Sequence, residues 1–192
     1  CSPHDILKRA LTVGMDRIGD RFSAGTAYIP DLLFAARAMN AAMERIKPFF
    51  LAGETASMGT AVVGTVTGDI HDIGKNLVAT MLSVAGFEVY DLGSDVKVLD
   101  FIRKANEVNA DIIAMSNLMF VSTPYQMDVV RGLEDKGIRG KYFIIIGGGA
   151  STPEWAEEIK ADGWGRSALD GVELCRRFIA EPVPRPLKKP LY

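Results

Sequence analysis

The sequence predicts an α/β protein, a five-stranded parallel sheet with helices on both faces, preceded by a segment that forms part of a helical bundle. Two observations predict it. From Thr60 onward, short apolar runs alternate strictly with stretches of helical periodicity, and parallel neighbours need such crossover helices. Before that point the apolar residues recur at three- and four-residue spacings, with no strand-like run among them.

The first helical stretch, "DILKRALTVGMDRIGDRF", spaces Ile6, Leu7, Ala10, Leu11, Met15 and Ile18 in this way. "SAGT" then reads as a turn. Pro30 sits in the first turn of a second helix, "PDLLFAARAMNAAMERI", and Pro48 is expected to close it. Two amphipathic helices cannot bury both apolar faces alone, so they must pack on further helices or on the rest of the molecule. Residues 51–59 read as a linker, dividing a helical cap, 1–55, from a second domain, 56–192. In the latter, "TAVVGTV", "FEVYDL", "DIIAMS" and "YFIII" read as strands one to four, with a weaker fifth near "ADGW". Helical patterns lie between them at "GKNLVATMLSVAG", "VLDFIRKANEVN", "YQMDVVRGLEDKG" and "EWAEEIK", and "ALDGVELCRRFIA" comes last. The proline-rich tail "EPVPRPLKKPLY" is expected to be extended.

Composition narrows the function classes. The chain has 192 residues, 48% of them hydrophobic, enough for a substantial core. Its 22 basic and 24 acidic side chains leave a formal charge of -2 with no basic block, so neither nucleic acid nor an anionic membrane is an expected partner. Two cysteines, Cys1 and Cys175, supply no disulfide framework and no zinc knuckle, which suits a reducing, cytoplasmic setting. The apolar runs fall far short of the roughly 20 residues that span a bilayer, and no signal-peptide pattern is present. The chain begins at Cys1 rather than Met, which reads as a fragment.

Five strands in this rhythm suggest the flavodoxin-like order, in which strands one, three and four lie side by side and ligands bind beyond their C-terminal ends. Polar and glycine-rich segments follow those three strands: "TGDIHDIG", "SNLMFVSTP" with Ser116, Ser122 and Thr123, and "GGGASTPEW". The glycine run is either an ordinary strand-to-helix turn or a backbone cleared for a bulky ligand. The first turn lacks G-x-G-x-x-G spacing, which argues against a nicotinamide cofactor. Asp72 is better read as the N-cap of the following helix than as a chemical group, and Ser116 and Ser122 can satisfy loop backbone. His71 differs because Asp69 stands two residues before it. A carboxylate there can accept the Nδ1 proton and leave Nε2 to act as a general base or a metal ligand. No second histidine or cysteine cluster lies nearby to complete a protein-held zinc site. A lone imidazole ligand makes sense for a metal that arrives in an organic macrocycle.

"GDIHDIGKN", then "SNL", then "IIGGG" resembles the cobalamin-binding domain with its D-x-H-x-x-G, S-x-L and G-G motifs, here Asp69, His71, Gly74, Ser116, Leu118, Gly147 and Gly148. The continuation D-I-G-K-N is similar to the methyl-transfer branch, and "GDRFSAGTAYIPDLLFAARAMNAAME" resembles the helical cap of methionine synthase and corrinoid proteins, of which the last two helices of four are evident. The resemblance implies a cobalamin or related corrinoid, carried as methylcobalamin through a Co(I)/Co(III) cycle. It implies that His71 replaces the cofactor's own base beneath cobalt, that Asp69 hydrogen-bonds His71, and that Ser122 continues a relay to Asp69. The loop Gly68, Asp69, Ile70, His71, Asp72, Ile73 and Gly74 would lie against the cofactor. The nucleotide tail would pass Ser116, Leu118, Gly147, Gly148 and Gly149 towards Trp164 and Gly165, and Phe22, Ile29 and Leu32 of the cap would shield the methyl group. Phe120 departs from the threonine common at its position, which removes a hydrogen bond to the tail.

The implied role is a methyl carrier. A substrate-specific corrinoid methyltransferase would load it, a second methyltransferase would pass the methyl group to a tetrahydrofolate-type or thiol acceptor, and a reductive activase is a further expected partner. The competing readings are the small subunit of an adenosylcobalamin mutase, a cobalamin light-sensing regulatory module, and a flavodoxin-like domain that binds no corrinoid.

Overall fold

The structure is a computed structural model that describes residues 3–51, 58–181 and 185–192. It divides into two compact units, Cys1–Glu54 and Thr55–Tyr192. The expected linker falls largely on residues 52–57, outside those described.

The first unit is helical. A short helix α1 (Pro3–Ile6) runs through a π-helical turn (Leu7–Leu11) into α2 (Thr12–Ser23), and α3 spans Ile29–Leu51. The turn between α2 and α3 is fixed by the Thr26 amide on the Arg21 carbonyl at 2.8 Å, with Gly25 left-handed at φ 71°. Asp31 then closes the first turn of α3 by accepting from the Tyr28 amide at 2.8 Å, satisfying one of the amides a helix start leaves without a partner. Pro48 does not end this helix, contrary to expectation. An interior proline lacks an amide donor and crowds the carbonyl four residues back, but with only three residues left to Leu51 the helix runs through it.

The second unit has the anticipated alternation. Its elements are β1 (Thr60–Thr65), α4 (Ile73–Val84), β2 (Glu88–Asp91), α5 (Val98–Glu107), β3 (Ile112–Ser116), α6 (Pro124–Asp135), β4 (Phe143–Gly147), α7 (Pro153–Glu158), β5 (Gly163–Gly165) and α8 (Ala168–Ala180). All strand pairs are parallel, in the order β2-β1-β3-β4-β5. The β-branched runs bury both faces, as a doubly covered sheet requires. Val62, Ile113, Ile144 and Ile146 meet Phe101, Leu133 and Ala156 of α5, α6 and α7 on one face. On the other, Val63, Ala114 and Ile145 meet Leu82 of α4 and Cys175 and Phe178 of α8.

The register places the site. Thr65 pairs with Ser116, Ser116 with Gly147, and Gly147 with Gly165, so the last residues of β1, β3, β4 and β5 form one row. Every loop that follows them leaves from the same edge. The tail adds to the far side of the sheet: Leu191 bridges Gly163, and its carbonyl accepts from the Trp164 amide at 2.9 Å.

Packing on the helix side of β1 leaves no room at Gly64. A Cβ there would lie 2.7 and 2.9 Å from ring atoms of Phe101, which has no solvent exposure. Gly64→Ala is expected to destabilise the unit by roughly 1–3 kcal/mol through overpacking, read as a lower urea midpoint of the apoprotein. A wild-type midpoint would mean that Phe101 can shift without cost.

Candidate functional site

The segment after β1 leaves the sheet in a tight turn. Gly68 takes φ 78°, a left-handed conformation that costs glycine little, and the Asp69 amide bonds back to the Val66 carbonyl at 3.1 Å. This directs the Asp69 side chain into the protein, where it has no solvent exposure. A buried carboxylate needs donors. Oδ1 accepts from the His71 amide at 2.9 Å and from the His71 ring Nδ1 at 2.7 Å. Oδ2 accepts from the amides of Leu118 at 2.6 Å and Met119 at 3.1 Å, in the loop after β3. Burial pushes the Asp69 carboxyl pKa up, but hydrogen bonds from the His71 amide, the Leu118 amide, the His71 ring and the Met119 amide outweigh it and hold the pKa below the ordinary carboxylate value. An ionised carboxylate only accepts, which assigns the proton to Nδ1 and leaves Nε2 as the basic nitrogen. The His71 side chain is 50% exposed.

Around His71 the surface is apolar to an unusual degree for solvent-facing loops. Ile70 is 74% exposed, Leu118 50% and Ile73 40%, and Phe120 and Val121 are exposed beside them in the chain. Beneath the loops, between α4 and α8, lies a cavity of about 190 Å³. Val63, Leu77, Val78, Ala114 and Ile145 form its apolar walls, and Gly74, Ser116, Gly147, Gly148 and Gly165 also line it. Gly148 serves a second purpose. At φ 98° it passes so close to Asn117 that a Cβ would lie 2.8 and 2.9 Å from that residue's carbonyl carbon and amide nitrogen. Gly149 stands outside the cavity, against the Leu118 side chain.

Several expectations need correcting. Ser122 is buried but does not meet Asp69: its hydroxyl lies 2.7 Å from Asn117 Oδ1 and 2.8 Å from the Met119 carbonyl, and both Asp69 oxygens already hold their amide donors. Trp164 does not line the cavity. Strand alternation turns it to the opposite face of the sheet from Gly163 and Gly165, and its indole donates to the Ser151 carbonyl at 2.9 Å. Asp72 occupies the N-cap position of α4 without capping by its side chain, which instead accepts from Asn76 Nδ2 at 3.1 Å. Phe22, Ile29 and Leu32 lie on α2 and α3, and their side chains are outside those described.

Other residues of the site went unassigned in the sequence. Buried Asn117 accepts from the Met119 amide and the Ser122 hydroxyl and donates to Thr123 at 2.8 Å, bracing the loop that holds Asp69. Lys75, 2% exposed, reaches the Asp91 carboxylate at 2.6 Å. A lysine in the first turn of a helix opposes the helix dipole, and that was its legible signal: such a cation needs a carboxylate nearby.

The described residues contain no group of three or more histidine, cysteine, aspartate or glutamate side chains able to hold a metal ion. One tautomer-fixed imidazole, an apolar rim and a narrow apolar cavity fit a different object, a metal already equatorially coordinated by a flat macrocycle with an appended tail. B12 binding domain families match residues 59–173 and residues 1–47. The dimethylamine corrinoid protein 1 of Methanosarcina acetivorans is 42% identical over 93% of this chain and 84% of its own length. The chain belongs to the B12-binding corrinoid protein family. Its cofactor is a cobalamin-type corrinoid. Among solved structures this corrinoid protein is similar to the monomethylamine corrinoid protein of Methanosarcina barkeri, with TM-score 0.76 and 31% identity over 92% of this chain and 84% of that one. It is also similar to a chain of the methanol:cobalamin methyltransferase complex from the same organism, with TM-score 0.64 and 28% identity over 95% of this chain and 69% of that one. Among the described residues, no helix of the corrinoid protein is long and apolar enough to cross a membrane.

The depressed Asp69 pKa sets an acid limit. A carboxylate whose folded pKa lies below its unfolded value of about 3.9 contributes stability fully above that pH and loses it as the pH falls through the folded pKa. In urea titrations of the apoprotein, the stability gap between wild type and Asp69→Asn should therefore be widest at neutral pH and narrow below about pH 4. A gap that stays constant down to pH 3, roughly, would contradict the assignment of an ionised Asp69.

Proposed function

We propose that this chain carries a methyl group on the cobalt of its corrinoid, between a substrate-specific methyltransferase that loads it and a second methyltransferase that unloads it. The observation that carries this reading is the Asp69–His71 pair: a buried carboxylate fixes Nδ1 at 2.7 Å, while the ring reaches a half-exposed apolar surface. When bound, the corrinoid supplies a cobalt that accepts and gives up a methyl group as it cycles between Co(I) and Co(III).

The residues do the rest. His71 Nε2, left free by the Asp69 contact at Nδ1, is the nitrogen that would hold the cobalt of the corrinoid. Asp69 holds the ring in one tautomer and in one orientation, so that ligation would cost little ordering entropy. Ile70, Ile73 and Leu118 offer exposed apolar surface that the corrinoid ring would cover. The cavity beneath, with apolar walls formed by Val63, Val78 and Ala114, would hold the tail. In place of a relay, Ser122 and Asn117 fix the loop whose amides hold Asp69.

Dimethylamine, monomethylamine and methanol all occur in the names of the similar proteins, which supports a donor selected by the loading methyltransferase rather than by the carrier fold. The acceptor is a tetrahydrofolate-type pterin or a thiol, and a reductive activase is a further partner. A reducing cytoplasm suits that chemistry. His71→Ala, reconstituted with cobalamin, is expected to lose the absorption signature of an axial imidazole while still binding the corrinoid. A spectrum identical to wild type would reject the axial assignment. Presenting the Co(I) form to a panel of methylamine and methanol methyltransferases tests the carrier role. Methylation by one or more supports it, and none at all opposes it.

A further inference from the structure

The loop after β2, residues 92–97, lies beside the His71 loop because β2 and β1 are neighbours in the sheet. The two loops are stitched together along their length. The Thr65 amide donates to the Gly93 carbonyl at 2.9 Å, the Val96 amide to the Thr65 carbonyl at 3.0 Å, and the Thr67 hydroxyl to the Val96 carbonyl at 2.7 Å. At the centre stands Asp95. Its carboxylate Oδ1 accepts from the Gly68 amide at 2.7 Å, and its own amide donates to the Asp69 carbonyl at 2.9 Å. One residue thus grips the backbone on both sides of Asp69, from the flank opposite the Leu118 and Met119 amides.

Asp95 does this in a left-handed conformation, φ 53°, which non-glycine residues adopt rarely and aspartate more readily than most. Backbone held in that region persists where surrounding structure over-determines it. The surroundings here include Lys75. Its buried ammonium fixes Asp91, and Asp91 Oδ1 accepts from the Gly93 amide at 2.9 Å, two residues before Asp95. The helix that starts two residues after His71 therefore anchors the loop that holds His71's partner.

We propose that Asp95 is a positioning residue for the axial ligand: it fixes the Gly68–Asp69 backbone so that the Asp69 carboxylate presents His71 in one orientation, with Lys75 and Asp91 holding Asp95 in place. The proposal rests on the reading of His71 as the ligand to cobalt. It assigns no contact between Asp95 and the corrinoid.

Three variants separate the contributions. Asp95→Asn keeps an accepting oxygen and tolerates the left-handed backbone. Asp95→Gly keeps the backbone and removes the acceptor, and Asp95→Ala removes both. Two readouts apply: the ratio of His-on to His-off cobalamin in absorption spectra of the reconstituted protein, and amide hydrogen exchange of Gly68 in the apoprotein. Asp95→Gly should lower the His-on ratio about two- to tenfold, the net worth of one solvent-exposed hydrogen bond, and speed Gly68 exchange by a similar factor. Asp95→Ala should lower the ratio further, and Asp95→Asn should restore most of it. A wild-type ratio and wild-type exchange in Asp95→Gly would overturn the proposal. If the wild type itself shows no His-on form, the ligand reading fails on its own, and Gly68 exchange still decides whether Asp95 grips the loop.

Discussion

Asp69 is a carboxylate with no access to solvent, and an ionised group in that position must find donors for both oxygens. Those donors come from two loops that are distant in sequence: the His71 amide and ring on one side, and the Leu118 and Met119 amides on the other. The segments after β1 and β3 are therefore tied to one another through a single side chain. Much of the remaining polar structure serves that knot. Asn117 and Ser122 brace the β3 side, and Asp95 and Thr67 brace the β1 side. The result is an imidazole whose orientation and tautomer are set before any ligand arrives, the preorganisation that keeps the cost of ligation low.

Sheet order makes the knot possible and gives it something to serve. With β1, β3 and β4 adjacent and ending in one row, the loops that carry His71, Leu118 and the glycine run must emerge together. Below them, α4 and α8 leave an apolar cavity where β4 and β5 end in glycine. The same edge of the sheet thus presents two chemically different regions: a polar core that controls one nitrogen, and apolar surfaces at the loops and in the cavity. Burial of Asp69 strengthens the control, because its hydrogen bonds weaken less where water cannot reach the carboxylate.

The architecture was legible in the sequence because it depends on local periodicity, and each strand and helix of the second unit has its own apolar pattern. The Asp69–His71 pair was legible for a similar reason, two residues of complementary chemistry at close spacing after a strand. What escaped was contact between segments far apart in the chain. Lys75 with Asp91, and Gly68 with Asp95, come together only once β2 is known to lie beside β1. Ser122 failed as a relay member because its nearest acceptors are Asn117 and Met119, a fact of loop geometry that spacing does not encode. Trp164 failed for a simpler reason: in a strand, the neighbour of a cavity-lining glycine points the other way. Pro48 shows the limit of treating proline as a stop, since α3 runs through it.

The central claim is that His71, held by Asp69, is the nitrogen beneath cobalt. Electron paramagnetic resonance of the Co(II) form tests it directly, because the axial nitrogen splits each cobalt line. In protein labelled with 15N only in histidine and loaded with unlabelled cobalamin, the account predicts that the 14N triplet becomes a 15N doublet. A triplet that persists would show that the axial nitrogen belongs to the cofactor's own base, and would contradict the account.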